Sequence, residues 1–354
     1  MAHLPTPAPH EAVHLIEDPE TGLHGVIAIH STALGPAAGG CRLWQYDDDA
    51  AMLADALRLA RGMSYKNALA GLPFGGGKAV IRMPATLPSR ARLFAAFGRA
   101  VAGLGGAYVT AEDVGTTTAD MAEVRAKTRF VAGLPARPGQ AGGDPSPWTA
   151  LGVFVAMEAA ARSLGTGLSG LRVAVQGVGQ VGAALCTLLH EAGARLVVAD
   201  ADAARAAAVA ARFGADMVSP GAIIAADADI FAPCALGGAL DRQTIAALRA
   251  RLVCGAANNQ LATPEDGARL AERGILYAPD YVANAGGIIN VAAEYLGEAA
   301  DAVEARVRAI GPRMALILVR AGECGETPAA VADAMAEAIM AEGRAGLGRT
   351  GLAA

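Results

Sequence analysis

The stretch LRVAVQGVGQVGAALCTLLHEAGARLVVAD, residues 171–200, constrains the fold more than any other part of the chain. Its apolar start, Leu171 to Gln176, reads as a strand. Gly177-Val178-Gly179-Gln180-Val181-Gly182 then makes a glycine turn that opens a helix, and a second apolar strand ends in Asp200, 18 residues after Gly182. In such a unit the first glycine permits the tight turn, the second lets a pyrophosphate approach the backbone, and the third allows close helix–sheet packing. The free N–H groups and dipole at the helix start favour phosphate. An acid at the end of the second strand accepts from both ribose hydroxyls and repels a 2′-phosphate, so Asp200 points to NAD over NADP. A glycine turn alone also suits a ligand-free α/β domain. Strand, helix and acid placed together around it point to dinucleotide binding.

The rest of the chain divides around this unit. Short strands are expected downstream at ADIFAPCA, RLVCGAA and ILYAPDYVAN, an alternation with helices that implies a parallel sheet covered on both faces. After about Gly286 the pattern is helical. Upstream, GVIAIHSTALG (Gly25–Gly35) reads as a strand entering a glycine turn, and DAAMLADALRLARGMSYKNALA as a helix. KAVIRM (Lys78–Met83) and AYVTAEDV (Ala107–Val114) read as strands, so this region is mixed α/β. Between the two regions, Leu134–Ala150 is crowded with proline and glycine and reads as a linker or hinge, with a helix beginning near Ser146 or Thr149. At 354 residues two domains are expected: residues 1–140, and a doubly wound Rossmann-type domain over residues 146–324.

Charge and composition exclude several functions. A formal charge of −5 without a basic run gives no footprint for nucleic acid. No window reaches membrane-spanning hydrophobicity, and the first thirty residues lack the basic start and apolar core of a secretory signal. The five cysteines, Cys41, Cys186, Cys234, Cys254 and Cys324, form no CxxC pair and read as buried reduced thiols of a cytoplasmic protein. The six histidines show no ligand spacing, so no metal site is expected.

Of 29 lysine and arginine residues only three are lysine: Lys66, Lys78 and Lys127. Lys66 and Lys78 lie twelve residues apart around a run of glycines, in SYKNALAGLPFGGGKAVI. Arginine is effectively never neutral, whereas a lysine desolvated beside another cation can serve as a base near neutral pH. Two exposed lysines that happen to be near each other are the simpler alternative, which the arginine bias weakens. Gly75, Gly76 and Gly77 are read as letting the backbone pass close to a ligand or adopt positive φ. The acidic partner is Asp113 in TAEDVGTT, at the end of an expected strand; alone it would suit a turn or helix cap equally well.

GPAAGGCRLW, GMSYKNALAGLPFGGGKAVI, TAEDVGTT, GDPSPWTALGVF, VAVQGVGQVG, FAPCALGG, GAANNQL and YVANAGGIINVA occur in this order. Together, from about residue 12 to residue 345, they resemble the glutamate/leucine/phenylalanine/valine dehydrogenase family, most closely its leucine and phenylalanine branches. The resemblance implies NAD-linked oxidative deamination of an L-amino acid to a 2-oxo acid and ammonia. It makes Lys66 the cation for the substrate α-carboxylate and Lys78 the general base that activates water. Asp113 would assist proton transfer at the amino group. Gly39, Gly40 and Met63 would shape the substrate end. Thr149, Cys234, Ala235, Ala257, Asn258, Asn259 and Asn284 would join the glycine turn in holding the cofactor. The family also implies a cleft between the domains, a hinge near Gln140–Pro147, final helices (about 325–354) that complete the first domain, and a homo-oligomer. A catalytically idle NAD-binding regulator is the alternative outside enzymes, and the intact lysine pair argues against it.

Substrate choice rests on the same resemblance. In the glutamate branch a lysine just before the paired glycines grips the side-chain carboxylate; here that position is Ala38. A buried side-chain carboxylate would be left unpaired, which disfavours glutamate. Ala38, Ala111, Ile288 and Val291 would wall an apolar pocket, for leucine, valine or isoleucine. Leucine enzymes often carry a larger residue at Ala38, which keeps a phenylalanine dehydrogenase as the alternative, while Ile288 narrows the far wall. Cys41, where threonine is usual, departs from the family.

Overall fold

The computed structural model describes residues 2–3, 9–84, 86, 89–135 and 139–351. Residues 136–138 of the expected linker and 352–354 of the expected final helix lie outside the described residues. The chain forms two compact units: Met1–Gly143 with Val291–Ala300 and Met335–Ala354, and Asp144–Asn290 with Asp301–Ala334. The sequence-based boundary at 140–146 compares with this division at 143/144, and the expected return near 325 compares with one at 335, joined by a second returning piece, 291–300.

The first unit begins with β1 (Ala2–His3), β2 (Ala12–Asp18), β3 (Leu23–Ser31), β4 (Ala37–Ala38) and β5 (Cys41–Trp44). Helix α1 (Asp49–Leu69), β6 (Gly75–Arg82), α2 (Arg90–Ala102), β7 (Tyr108–Val109) and α3 (Thr118–Arg125) follow. The strands form one mixed sheet, ordered β1-β2-β3-β6-β4-β7, with β5 also paired to β6. β2, β3 and β6 pair antiparallel, whereas β4 and β5 run parallel to β6. One face packs on α2 and α3 through Phe94, Phe97, Tyr108 and Met121, and the other on α1 through Met52, Ala56, Ala60 and Val80. Helix α1 starts where Asp48 caps the Ala51 N–H at 2.7 Å.

Two expectations are corrected here. The strand expected at Lys78 begins at Gly75, so the three glycines lie inside β6, fully buried, and none has positive φ. They accommodate protein, not ligand. An ideal Cβ at Gly75 would stand 1.9 Å from the Ser31 carbonyl, at Gly76 2.0 Å from the Ser64 nitrogen of α1, and at Gly77 2.9 Å from the Tyr108 ring. The strand expected over Ala107–Val114 shrinks to β7, and Asp113 lies in the loop beyond it.

The second unit contains α4 (Ser146–Ser163), β8 (Arg172–Gln176), α5 (Gln180–Glu191), β9 (Arg195–Ala199), α6 (Ala203–Phe213) and β10 (Asp216–Met217). It continues with β11 (Ile230–Pro233), α7 (Arg242–Ala247), β12 (Leu252–Val253), α8 (Glu265–Glu272), β13 (Leu276–Tyr277) and α9 (Asp280–Ala283). Helices α10 (Gly286–Leu296), α11 (Ala300–Arg308), α12 (Ile310–Cys324) and α13 (Pro328–Gly351) complete the chain. Its sheet, β10-β9-β8-β11-β12-β13, is parallel throughout, the doubly wound order with β8 and β11 meeting at its centre. The runs RLVCGAA and ILYAPDYVAN yield only the two-residue strands β12 and β13, because their C-terminal halves turn into loops and α9. Among the described residues no helix is long and apolar enough to cross a membrane.

Candidate active site

In a strand alternate residues face opposite sides, so Gly76, Lys78 and Val80 share the face of β6 that packs on α1. Because Gly76 has no side chain, the last turns of α1 lie directly on the strand at Ser64. Lys66 lies on α1 between Ser64 and Asn67, which both meet β6, and Lys78 lies on β6 itself. The fully buried Asn67 fixes this contact, its amide donating to the carbonyls of Gly75 (2.6 Å) and Ala38 (3.4 Å).

The Ala38–Gly39–Gly40 turn is held equally closely. The buried Tyr108 hydroxyl donates to the Gly39 carbonyl and accepts the Ala79 N–H at 3.0 Å. A Cβ at Gly39 would meet the Gly77 carbonyl at 1.9 Å and Met63 Cγ at 3.1 Å; at Gly40 it would meet Asp113 Cβ at 2.7 Å. Glycine at these positions lets Met63, the turn and Asp113 converge. Thr116 Oγ1 accepts the Asp113 N–H (2.8 Å) and donates to the Cys41 carbonyl (3.0 Å), pinning the acid's backbone beside β5.

Lys78 Nζ stands 2.8 Å from Asp113 Oδ2, with side-chain exposures of 6% and 19%. Burial pushes the Asp113 carboxyl up, but Lys78 and then Arg42 outweigh it and hold it below the usual carboxylate range. Sequence reasoning missed Arg42 and Asp55, which extend this pair: Arg42 Nε lies 3.3 Å from Asp113 Oδ2, and its Nη1 2.9 Å from Asp55 Oδ2. Arg42 sits in the recognised stretch GPAAGGCRLW and Asp55 in the expected helix, but only the fold shows that β5 and α1 bring them together. The Cys41 thiol, fully buried nearby, is pushed well up by burial and stays neutral.

Ala38 and Ala111 are buried. Ile288 and Val291 lie one turn apart on α10 and so on one face of it. Glu294, one further turn along, accepts the N–H groups of Gly133 (3.0 Å) and Leu134 (2.9 Å). The Gly133 loop in turn runs against Ala111 and Glu112. Glu294, which the sequence did not single out, thus ties the helix of Val291 to the neighbourhood of Ala111.

In the second unit Gly177 has φ +89°, and a Cβ there would meet Ala235 at 2.8 Å. A Cβ at Gly182 would stand 2.0 Å from the Gly177 carbonyl, whereas at Gly179 it would meet nothing within 4 Å. The turn is therefore closed by packing on both sides and open at its middle glycine. Helix α5 begins there, at Gln180 and Val181, with no side-chain cap on its first N–H groups, the arrangement a pyrophosphate fits. Asp200 follows β9, its carboxylate accepting the N–H groups of Val178 (2.8 Å) and Asp202 (2.9 Å), with Arg205 at 3.4 Å. Burial would raise that carboxyl, but these donors hold it below the usual range.

The loops after β11 and β12 supply the other expected cofactor residues. Cys234 N–H bonds the Gln176 carbonyl (2.7 Å) and Ala257 N–H the Pro233 carbonyl (2.9 Å). Asn284 donates to Asn258 Oδ1 (2.9 Å), and Asn259 is the positive-φ non-glycine residue among those described, at φ 51°. Thr149, on α4, sits against Gly287, where a Cβ would meet its hydroxyl at 2.7 Å. Burial pushes the Cys234 and Cys186 thiols up to about 12, which keeps both in the neutral form. All five cysteines are free; Cys324 is exposed and Cys234 only partly buried, contrary to the reading of all as buried. Among the described residues no group of three or more His, Cys, Asp or Glu is placed to hold a metal ion.

Comparison with known proteins follows the same division. Residues 10–130 match the model of the Glu/Leu/Phe/Val dehydrogenase dimerisation domain, and residues 144–207 and 199–310 that of the glutamate/leucine/phenylalanine/valine dehydrogenases. The chain is 51% identical over 290 residues to leucine dehydrogenase of Geobacillus stearothermophilus, covering 81% of this chain and 79% of that one. It is 49% identical over 341 residues to valine dehydrogenase of Streptomyces albus, covering 95% and 93%. The crystal structure of L-tryptophan dehydrogenase from Nostoc punctiforme aligns with a TM-score of 0.83 at 41% identity, over 95% of this chain and 97% of that one.

Proposed function

Since the chain belongs to the Glu/Leu/Phe/Val dehydrogenase family, and is thereby an amino acid dehydrogenase, we propose that it carries out NAD-dependent, reversible oxidative deamination of an apolar L-amino acid. The preferred substrates are of the leucine, valine and isoleucine type. The observation that carries the mechanism is the buried Lys78–Asp113 pair, 2.8 Å apart beside the Gly39–Gly40 turn.

Lys66 binds the substrate α-carboxylate as a fixed cation. Lys78 takes a proton from the water that adds to the imine carbon and returns it to the departing amino group, while Asp113 assists as an anion beside both, releasing ammonia and the 2-oxo acid. The Gln180 and Val181 N–H groups, beside the turn of Gly177, Val178, Gly179 and Gly182, would hold the pyrophosphate, and Asp200 would hold the ribose. Thr149, Cys234, Ala235, Ala257, Asn258, Asn259 and Asn284 line the remainder of the cofactor's seat. When bound, NAD supplies the acceptor for the hydride that leaves the substrate Cα.

Ala38, Ala111, Ile288 and Val291 offer no cation to a side-chain carboxylate, which excludes glutamate as a good substrate. Leucine and valine dehydrogenases among the relatives support the aliphatic reading. The small Ala38, together with the likeness to a tryptophan dehydrogenase, favours phenylalanine or another aromatic acid as second reading. One methylene in an apolar pocket is worth about 1–3 kcal/mol, so activities toward leucine, isoleucine and valine overlap. We place the enzyme in the cytoplasm as a homo-oligomer, the second in keeping with its match to a dimerisation domain.

Initial rates of NADH formation with leucine, valine, isoleucine, phenylalanine, tryptophan and glutamate test the proposal. The highest kcat/KM is expected for a branched-chain acid and the lowest for glutamate. A maximum for an aromatic acid would reverse the order, and NAD binding without any turnover would identify a regulator instead.

A further inference from the structure

Arg42 has no part in the scheme above, yet it makes two ion pairs beside it. Its side chain is 18% exposed and lies between two carboxylates, Asp113 (3.3 Å from Nε) and Asp55 (2.9 Å from Nη1). Asp55, 15% exposed, is anchored by the Tyr46 hydroxyl (2.6 Å) and Arg58 Nη2 (2.7 Å). Charges alternate along the row Lys78, Asp113, Arg42, Asp55, Arg58, drawn from β6, the loop after β7, β5 and α1. We infer that Arg42 is a positioning residue, which holds Asp113 as an anion turned toward Lys78 whichever protonation state Lys78 is in.

The inference rests on reading Lys78 and Asp113 as the proton-handling pair. If Lys78 were its only cation, Asp113 would become an unpaired buried charge each time Lys78 lost a proton, and would take up that proton itself. The cycle would then stall with the pair merely exchanging a proton. A guanidinium never gives up its proton, and its planar fork spans two carboxylates at once, which a second lysine would not do. Asp55 supplies the counter-charge that keeps Arg42 from swinging wholly onto Asp113 and displacing Lys78.

The other ionisable groups around Asp113 do not substitute for Arg42. The thiol of Cys41 on β5 and the hydroxyl of Tyr108 on β7 are both pushed up by burial and remain neutral. Asp120 on α3 is taken up by Arg90 at 2.7 Å, and the neighbouring Glu112 accepts from the Thr118 hydroxyl at 2.9 Å. Lys66 lies on α1, across the interface with β6.

With only three lysines in the chain, ¹⁵N labelling of the lysine Nζ atoms gives a spectrum in which Lys78 is assigned by its loss in Lys78→Arg. Its shift reports the ionisation of the carboxylate 2.8 Å away as the pH is lowered. In Arg42→Met the step marking protonation of Asp113 should rise by about one pH unit or more, and the acid limb of kcat should rise with it. kcat itself should fall roughly tenfold or more with KM nearly unchanged. Arg42→Lys should restore part of both shifts. If Arg42→Met fails to fold by circular dichroism, Arg42→Gln, which keeps a donor but drops the charge, takes its place. A folded Met or Gln variant with the wild-type step overturns the inference, as does an Arg42→Lys variant no better than Met. Failure of the underlying base assignment would show separately, as turnover by Lys78→Arg, and would leave the titration readable.

Discussion

The two units prepare their sites by opposite means. In the second unit the work falls to backbone: a positive-φ Gly177, an open Gly179, a Gly182 packed under the Gly177 carbonyl, and an uncapped first turn of α5. In the first unit it falls to ionisable side chains, Lys78, Asp113, Arg42 and Asp55, brought in from separate segments. Glycines occur in both, with different purposes. Gly39, Gly40 and Gly76 leave room for other parts of the protein, so that charged groups converge, whereas Gly179 leaves room for nothing the chain itself provides. A backbone site is exacting about Cβ atoms, and an ionic site about the chemistry of each side chain.

The largest effect should therefore come from a change of chemistry at fixed charge in the first unit. Lys78→Arg keeps a cation beside Asp113 but cannot act as a base, so kcat should fall by ~10³-fold or more while NAD affinity is retained. Substantial turnover would mean that the buried pair binds charge without moving protons. Next is the packing glycine. Gly76→Ala would drive a methyl into the Ser64 backbone, 2.0 Å away, where no flexible end can yield. A loss of about 3 kcal/mol or more is expected in chemical denaturation. A near-neutral result would show that α1 can lift from β6 without harm.

The contrast also explains what was legible in the sequence. The proposed cofactor seat is encoded locally: strand, GVGQVG, helix and Asp200 fall within 30 residues, and each glycine has a reason that geometry supplies. The lysine pair was found through its rarity, but its glycines were misread. Their role depends on α1 lying on β6, a contact that no local pattern states. Arg42 escaped notice because arginine is the commonplace cation of this chain, so its type carried no signal. Glu294 and Tyr108 each act through hydrogen bonds to two distant backbone groups, which leave no periodic trace. The short strands β12 and β13 were over-read for a related reason: apolar runs continue past the last paired residue into loops buried by neighbours.

Reliance on buried ionisable groups should also make the first unit the more acid-sensitive. His30 on β3 is 3% exposed and shares a 2.8 Å hydrogen bond with Ser64 Oγ. Burial, then the neighbouring His10, Arg61 and Arg344, lowers it from 6.5 to about 4. The folded state thus binds fewer protons than the unfolded state between these values. Stability is complete above about pH 6.5 and is lost as pH falls toward 4, by on the order of 2 kcal/mol after allowance for screening. Hydrogen exchange at pH 7 and pH 4.5 should show β3 and α1 loosening before β8 and β9, and His30→Gln should flatten that difference. In the second unit Asp266, held below the usual carboxylate range against the opposing effect of burial by its bonds to Arg269 and Thr263, loses its contribution only at lower pH.

The smallest effect on the fold, and the sharpest on binding, belongs to Gly179. Its φ of −63° suits alanine, and a Cβ there meets nothing within 4 Å. Gly179→Ala should leave the ligand-free protein within about 0.5 kcal/mol of wild type, and the lower entropy of the unfolded chain tends to offset any loss. Gly182→Ala, whose Cβ would stand 2.0 Å from a carbonyl, should destabilise it outright. If the space beside Gly179 is where the pyrophosphate approaches, the same silent methyl should weaken NAD binding by roughly tenfold, about 1.4 kcal/mol. Calorimetric titration with NAD separates the two glycines. Unchanged affinity in Gly179→Ala would place the phosphates elsewhere and remove the basis for a backbone-built site in this unit.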